Sequence, residues 1–333
     1  MLTAGRQKII IRLPAVFKFI FTESGLRCLT VILRSAKKFI FSFIIICIVL
    51  LYYSIACSAE FGEGNDMPSH IFQLIHPGWN LGNTFDALGD ETSWGNPITT
   101  KELINEIARQ GFKSIRIPIT WDHRMGEGPD YKIDEAFMER IREVVDWALD
   151  SGLYVIINMH HDSHWIFNMK DKYEEVLSRY EAAWKQISDE FKDYPDDRLM
   201  FESINEPRFS DDWNEDKPEY FEMLETLNNT FYKIVRNSGG NNSTRFLLLP
   251  TLTCSASQKR VEELYKTITN LNDRKVIATI HYYGYWPFSV NIAGATVFDE
   301  DVKNDIIQTF DRLHETFISN EIPVIVGEFG LLG

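Results

Sequence analysis

Two glutamates in this chain each follow an apolar run at a point where a β-strand is expected to end. Residues 199–204 are mostly apolar and lead into Asn-Glu-Pro at 205–207, where the proline cannot continue a sheet ladder. Far downstream, the apolar run 323–326 leads into Gly327 and Glu328. Charged side chains are rarely buried unless they are paired or take part in chemistry. Two carboxyl groups at strand ends are what the hydrolysis of a glycosidic bond requires.

The two carboxyl groups would have different tasks in such a reaction. A lone Asn-Glu-Pro is more often a turn, but the second strand-end glutamate favours catalysis, with Glu206 as general acid/base and Glu328 as nucleophile. A nucleophile must stay ionised, and Arg116, inside an otherwise apolar strand, is the cation expected beside it. The alternative is a structural Arg116 paired with an acidic residue of a helix. In either case, a buried guanidinium must find an acid across the fold.

Histidines follow two other predicted strands. His160 and His161 stand before Asp162, and they suggest a metal site, core histidines, or hydroxyl recognition within a proton network. Neighbouring residues on a strand point to opposite faces, so we expect that the two histidines do not share a metal ion. His281 and Tyr283 are one strand period apart, so both could reach Glu328 from the same side.

Tryptophans lie mostly beyond the predicted strand ends. These residues are Trp79, Trp94, Trp165, Trp213 and Trp286. Aromatic faces suit the apolar faces of sugar rings, although any single tryptophan is more often part of a core. The segment 282–290 holds five aromatic residues, too many for core alone, so we expect at least Trp286 to face a cleft.

Strand and helix patterns alternate along residues 71–333. Unbroken Val, Ile and Leu runs indicate strands that are buried on both faces, as in a parallel sheet covered by helices. Seven strands and six intervening helices can be counted, with polar residues at the carboxyl ends of the strands. This pattern predicts an α/β fold, a (β/α)8 TIM barrel with its site at the C-terminal face. A doubly wound sheet is the alternative, but no glycine-rich phosphate loop follows the first strand. The count is one strand short, so we expect a barrel truncated after its seventh strand.

Charge and cysteine content limit the partners. The 333 residues carry a net charge of −14, and residues 1–59 hold eight Lys and Arg against one Glu, which leaves −21 on the rest. An acidic body repels phosphate backbones, so no nucleic-acid partner is expected. Three of the four cysteines precede residue 60, which leaves only Cys254 in the body. A disulfide within the body and a cysteine-based metal site are therefore not expected, and we predict a monomer without a bound metal.

Residues 1–59 are predicted to be an N-terminal signal for export, and residues 2–30 resemble an over-extended gene start rather than a domain. Lys37 and Lys38 precede the apolar run 39–55, and small residues follow it, as in a secretory signal peptide. The alternatives are a membrane anchor and, with a partial lipobox around Cys57, a lipoprotein. Cleavage would leave a secreted protein without a stable membrane partner. Residues 60–333 would form a catalytic domain, incomplete at its C-terminus.

From about Ile71 onward the chain resembles glycoside hydrolase family 5, the cellulase family. The motifs that carry the resemblance are Gly-Trp-Asn-Leu-Gly-Asn at 78–83, Arg-Ile-Pro at 116–118, His-His at 160–161, Asn-Glu-Pro at 205–207, His-Tyr-Tyr at 281–283 and Gly-Glu-Phe-Gly at 327–330. The loop 284–288 looks like that of the endoglucanase and xyloglucanase branch.

The resemblance implies a retaining endo-β-1,4-glucanase on a barrel without cofactor, acting on a β-glucan polysaccharide. It assigns Glu206 and Glu328 the roles given above. Further assignments place Arg116 and Tyr283 beside the nucleophile, Asn205 on the sugar 2-hydroxyl, His160 and His281 in the catalytic network, and Asn83 and His161 on sugar hydroxyls. The alternatives are a xyloglucan- or mixed-linkage-specific endoglucanase, or an inactive glycan-binding fragment that lacks the eighth strand.

Overall fold

The structure is a computed structural model that describes residues 74–331. The predicted export segment 1–59, with Cys28, Cys47 and Cys57, lies outside these residues. Among the residues described, no helix has the length and apolar character needed to cross a membrane.

Within the described residues, seven parallel strands form one sheet in which spatial order follows chain order. The strands are β1 Gly78–Asn80, β2 Ser114–Ile117, β3 Tyr154–Asn158, β4 Leu199–Glu202, β5 Leu247–Ser255, β6 Val276–Tyr282 and β7 Val324–Phe329. Each strand pairs with the next, and the sheet curves into a nearly closed barrel, as the unbroken apolar runs predicted. The carboxyl ends of all seven strands therefore meet at one end of the barrel.

Between residues 74 and 331, six long helices connect the strands, and two short helices lie in loops at the carboxyl ends of strands. The helices are α1 Lys101–Arg109, α2 Glu135–Asp150, α3 Ser163–Ile166, α4 Tyr173–Glu190, α5 Pro218–Asn237, α6 Gln258–Leu271, α7 Trp286–Ser289 and α8 Glu300–Thr316. Side chains cap three of the long helices, since Thr100, Asp134 and Asp299 accept backbone N–H groups of the first turns. The helices α3 and α7 are single turns and were not predicted from the sequence.

Apolar residues form two layers, because successive side chains of a strand point to opposite faces. The outer layer packs the sheet against the helices. The inner layer fills the barrel with residues from alternate strand positions, and its members are Ile75, Ile156, Met200, Phe246, Leu248 and Ile277. Arg116, Asn158, Glu202 and Thr279 share this inward phase, closer to the carboxyl end. The barrel interior is thus apolar below and polar at its mouth.

β1 and β7 share no ladder among the described residues. The side-chain amide of Asn80 donates a hydrogen bond of 2.8 Å to the carbonyl oxygen of Gly327 and joins the two strands. A groove of about 580 Å³ lies beside this contact, and its walls include Trp79, Phe310 and Val326.

Two register shifts mark the carboxyl ends of the later strands. The β5–β6 ladder shifts between Pro250 and Ser255. In the β6–β7 ladder, Ile280 pairs with Val326 but His281 pairs with Glu328, so Gly327 is the extra residue of a bulge. A bulge re-aims the side chain that follows it. Gly327 and Glu328 are consecutive, so the bulge lets Glu328 turn toward the barrel mouth.

Candidate active site

Glu328 is surrounded by groups that favour its ionised form. Tyr283 donates its hydroxyl to Oε2 at 2.8 Å, and Arg116 Nη1 donates to Oε1 at 3.0 Å. Burial alone would raise the pKa of Glu328, but the charges of His281 and Arg116 and the hydrogen bond from Tyr283 lower it below its ordinary value. Burial and the charge on Glu328 raise the pKa of Tyr283, so its hydroxyl keeps its proton. Glu328 is held as a carboxylate.

Glu206 follows β4 in the left-handed conformation, with φ of 42°. Its Oε1 lies 2.8 Å from His281 Nδ1, and its backbone N–H donates to the thiol sulfur of Cys254 at 3.3 Å. A backbone bond of 2.8 Å from Thr253 N–H to Pro207 carbonyl oxygen also ties this turn to the β5 bulge. The turn is therefore fixed by β5 rather than by its own strand.

The two glutamates face each other closely. One oxygen from each carboxylate and a ring nitrogen of His281 all lie within 4.8 Å of one another. Retaining glycosidases hold their carboxyl groups about 5–5.5 Å apart, and inverting enzymes about 6.5–9.5 Å apart. The separation here fits the retaining arrangement.

His281 links the two carboxylates. Besides its bond to Glu206, Nδ1 lies 3.7 Å from Glu328 Oε2. Burial disfavours its charged form. The interaction with the sulfur of Cys254, the hydrogen bond to Glu206 and the charge of Glu328 nevertheless raise the pKa of His281 well above its ordinary value. An imidazolium at this position donates toward Glu206, so the pair holds a proton close to Glu328. We expected His281 and Tyr283 to reach Glu328 together, and the structure gives the direct bond to Tyr283 and the closer His281 contact to Glu206.

Arg116 lies at the centre of the polar mouth, on β2. Its Nε donates to Glu202 Oε2 at 2.7 Å, Nη1 donates to Asn80 Oδ1 at 3.2 Å and to Glu328, and Nη2 donates to Asn205 Oδ1 at 2.8 Å. The partners that a buried guanidinium requires therefore lie across the barrel. Because the oxygen of Asn205 accepts from Arg116, its amide NH2 is the group presented to a ligand.

His160 and His161 lie side by side, with ring centroids 4.6 Å apart. The expectation that they point to opposite faces was wrong, because β3 ends at Asn158 and the strand alternation stops there. With Asp86 they form a cluster whose ligating atoms lie within 4.8 Å of one another. Both oxygens of Asp86 already accept backbone N–H groups, from Asn83 and Thr84, at 3.0 and 2.7 Å. These two bonds fix the carboxylate of Asp86 beside the turn at residues 83–84.

The protonation of His160 follows from its contacts. Its Nδ1 accepts from the amide of Asn158 at 3.1 Å, so the proton of the neutral ring is on Nε2, 3.9 Å from Glu328 Oε1. Burial and the charge of Arg116 lower the pKa of His160 well below its ordinary value. His160 is thus a neutral donor facing Glu328.

The remaining predicted site residues lie on the rim. Asn83 is exposed in a left-handed turn with φ of 58°. Trp94 lies over His161, with ring centroids 5.3 Å apart. Trp286 begins α7 and is 64% exposed, whereas Trp165 is buried in the core. Trp79, Trp94 and Trp213 are also exposed.

Three residues of the site were not predicted from the sequence. Asn80, rather than Asn83, ends β1. Glu202 is fully buried, and its signal was the same as that of Arg116, a charge inside an apolar strand. Cys254 is buried beneath Glu206, and only the bulge of β5 brings it there.

A barrel of parallel strands with a close pair of carboxylates at their carboxyl ends is the arrangement of a retaining glycoside hydrolase. The family model of cellulase, glycosyl hydrolase family 5, matches residues 80–332. The chain belongs to this family.

Relatives within the family agree in sequence and in structure. The chain is 52% identical to endoglucanase B of Paenibacillus lautus over 303 residues, which are 90% of this chain and 53% of the relative. It superimposes on the tri-modular endo-β-1,4-glucanase B of Bacillus halodurans with a TM-score of 0.77 and 55% identity, over 79% of this chain and 50% of that one. The chain thus spans about half the length of these two proteins.

A further solved structure is a xyloglucan-specific endo-β-1,4-glucanase from a metagenomic library in complex with cellotriose. It matches with a TM-score of 0.73 and 33% identity, over 80% of this chain and 81% of that chain.

Proposed function

We propose that this protein is a retaining endo-β-1,4-glucanase that hydrolyses internal bonds of β-glucans by double displacement. The observation that carries the proposal is the close pair of Glu328, held ionised by Arg116 and Tyr283, and Glu206, in contact with the proton donor His281. One carboxylate is prepared to attack, and the other can exchange a proton.

In the first step, Glu328 attacks the anomeric carbon while Glu206 protonates the leaving glycosidic oxygen. The C–O bond to the leaving sugar breaks, and an ester bond to Glu328 forms. In the second step, Glu206 takes a proton from water, the water oxygen attacks the same carbon, and Glu328 leaves as a carboxylate. The proton held between His281 and Glu206 is the one that is transferred to the leaving oxygen in the first step.

The surrounding residues would bind and orient the sugar. The amide NH2 of Asn205 would donate to the 2-hydroxyl, and Arg116 and Tyr283 would hold Glu328 in line with the anomeric carbon. His160 would donate toward the nucleophile, and His161 and Asn83 would contact hydroxyl groups.

The names of relatives guide the choice of substrate. Two are called endoglucanases or endo-β-1,4-glucanases, and the xyloglucan-specific enzyme binds cellotriose. We therefore propose a β-1,4-linked glucan as substrate, with xyloglucan and mixed-linkage glucan as alternatives. Because a polymer of this kind cannot cross a membrane, we also propose that residues 1–59 direct export and that residues 60–333 act as a secreted, monomeric catalytic domain.

Release of reducing ends from carboxymethylcellulose, barley β-glucan, xyloglucan and mannan tests the proposal directly. We expect hydrolysis of at least one glucan and none of mannan, with β-anomers as the first products in proton NMR. Tight binding of cello-oligosaccharides without hydrolysis would favour the glycan-binding alternative, and initial α-anomers would contradict the retaining mechanism.

Two isosteric variants separate the roles of the glutamates. Glu328→Gln should abolish turnover of every substrate. Glu206→Gln should spare the first step for aryl cellobiosides with good leaving groups, which need no protonation, and a burst of phenolate should appear. Full activity of Glu328→Gln would show that the roles are assigned wrongly.

A further inference from the structure

Glu202 is a buried carboxylate that the mechanism above does not use. It is the last residue of β4, four positions before Glu206, and its side chain is inaccessible to solvent. It accepts from Arg116 Nε at 2.7 Å, from Asn158 Nδ2 at 3.0 Å and from Thr279 Oγ1 at 3.4 Å. A group so deeply enclosed cannot touch a substrate, so any effect on the reaction must pass through a neighbour.

Arg116 is that neighbour, and its geometry depends on Glu202. A guanidinium is planar, so a bond that fixes Nε also fixes the directions of Nη1 and Nη2. With Nε on Glu202, Nη1 points at Glu328 and Nη2 points at Asn205. The bond beneath the site therefore sets the position of both groups at the anomeric carbon.

Glu202 also changes the electrostatic potential at Glu328. The groups that face Glu328 are Arg116 from β2, His160 after β3, Glu206 after β4, and His281 and Tyr283 from β6 and beyond. Of these, Arg116 is the one that Glu202 contacts. Its ion pair with Glu202 offsets the positive charge, so Arg116 stabilises the Glu328 carboxylate less than an unpaired guanidinium would.

We infer that Glu202 is a positioning residue that orients Arg116 and partly neutralises its charge, so that Glu328 is ionised yet remains nucleophilic. The inference rests on the proposed function, in which Glu328 is the nucleophile. Without the negative charge of Glu202, Arg116 would be paired with Glu328 alone. It would then stabilise the ionised form of Glu328 more strongly and make Glu328 less basic.

Glu202→Gln tests this inference in the full chain, since glutamine keeps the size and one acceptor but removes the charge. Asp273→Asn is the matched control, because Asp273 accepts from Arg236 Nε at 2.9 Å just before β6, at the opposite end of the barrel. For each protein, kcat and KM on an aryl cellobioside would be measured across pH, and the carboxyl carbon of Glu328 would be titrated by 13C NMR.

We expect kcat to fall by about 10- to 100-fold in Glu202→Gln, because the nucleophile is misplaced and less basic. The acidic limb of the pH profile and the titration of Glu328 should both move to lower pH. Glu202→Asp, which keeps the charge but withdraws it by one methylene, should move them in the same direction by less. Asp273→Asn should leave both where they are in the wild type.

The inference is overturned if Glu328 in Glu202→Gln titrates as in the wild type, or if activity falls only in proportion to unfolded protein. If the Gln variant does not fold, an unmoved limb in the Asp variant overturns it instead. A wild-type chain without turnover on any glucan would contradict the proposed function, and the NMR titration would still decide the effect of Glu202 on Glu328.

Discussion

Asn80 and Gly327 join the first and last strands of the described sheet through a single side chain. Nδ2 of Asn80 donates to the carbonyl oxygen of Gly327 at 2.8 Å, and Oδ1 accepts from Arg116 Nη1 at 3.2 Å. One amide therefore connects β1, β2 and β7. Gly327 directly precedes Glu328, so this contact fixes the backbone that carries the carboxylate proposed as nucleophile.

Replacing Asn80 should loosen this connection. Asn80→Ala removes two hydrogen bonds, so we expect the free energy of unfolding to fall by about 1–2 kcal/mol. We also expect kcat on soluble β-glucan to fall several-fold, because Glu328 and Arg116 lose a shared support. Urea unfolding and initial rates would measure the two effects.

Asn241→Ala is the control for this prediction. Asn241 also donates from its side chain to two backbone carbonyl oxygens, at 3.2 and 3.0 Å, but it lies before β5 at the far end of the barrel. It should lower stability without lowering kcat per folded molecule. Equal kcat in both variants would show that the Asn80 bridge is purely structural.

The bulge at Gly327 leads to a second prediction. A Cβ atom at this position would lie 3.1 Å from Thr279 Oγ1 and 3.2 Å from His281 Nε2, closer than most real contacts of such an atom. Gly327→Ala should therefore displace His281 from Glu206 and lower kcat by about 10- to 100-fold. The basic limb of the pH profile should move as well, since the proton held by this pair is disturbed.

Gly330→Ala provides a comparison three residues further along. A Cβ there would meet the Tyr283 ring at 3.6 Å, an ordinary contact. We expect near-normal kcat and an unmoved pH profile. A Gly327→Ala enzyme that matched Gly330→Ala in both measurements would show that His281 accommodates the added methyl group.

The sequence predicted the strand order and the residues at the strand ends, because those features depend on local patterns. Apolar runs stopped by proline or glycine predicted where Glu206 and Glu328 stand, and a charge within an apolar strand singled out Arg116. Glu202 showed the same signal and could have been found. Thr100 and Asp134 cap α1 and α2, so the starts of these helices also depend on local sequence.

The parts of the site that were not predicted depend on the register between strands, which no local sequence pattern encodes. The bulges in β5 and at Gly327 bring Cys254 beneath Glu206 and turn Glu328 toward the mouth, and neither changes the apolar periodicity of its strand. The orientation of His160 and His161 could not be predicted for a related reason. Both residues lie beyond Asn158, where β3 ends and its alternation no longer applies.

Asp162 gives a prediction for stability as a function of pH. This carboxyl group is fully buried and accepts from Trp121 N–H and Trp165 Nε1, both at 2.9 Å. Burial raises its pKa from 3.8 to about 6. Between these values the native state binds more protons than the unfolded state, so unfolding free energy falls as pH rises. The fall should amount to about 3 kcal/mol and should be complete above the native pKa.

Urea unfolding from pH 3.5 to 7 would measure this effect. The Asp162→Asn variant has no titrating group at this position. The difference in unfolding free energy between wild type and variant should therefore shrink by about 3 kcal/mol as pH rises. Asp273→Asn is the control of opposite sign, because hydrogen bonds and the charge of Arg236 outweigh burial and lower the pKa of Asp273. The stability that ionised Asp273 contributes to the native state should therefore be lost as pH falls. Parallel curves for wild type and Asp162→Asn would contradict the prediction.

Trp286 bears on which glucan is preferred. Its side chain is 64% exposed at the first position of α7, just beyond the end of β6, so it contributes little to the core. We expect it to stack on a sugar on the leaving-group side, a contact worth about 1 kcal/mol beyond area burial. Trp286→Ala should lower kcat/KM on long glucans several-fold, and an aryl cellobioside, which barely occupies that side, should be nearly unaffected. Ile292→Ala, at a 92% exposed residue of the same loop, should change neither substrate. Equal losses of Trp286→Ala on both substrates would show that the ring supports the loop or His281 instead of the polymer.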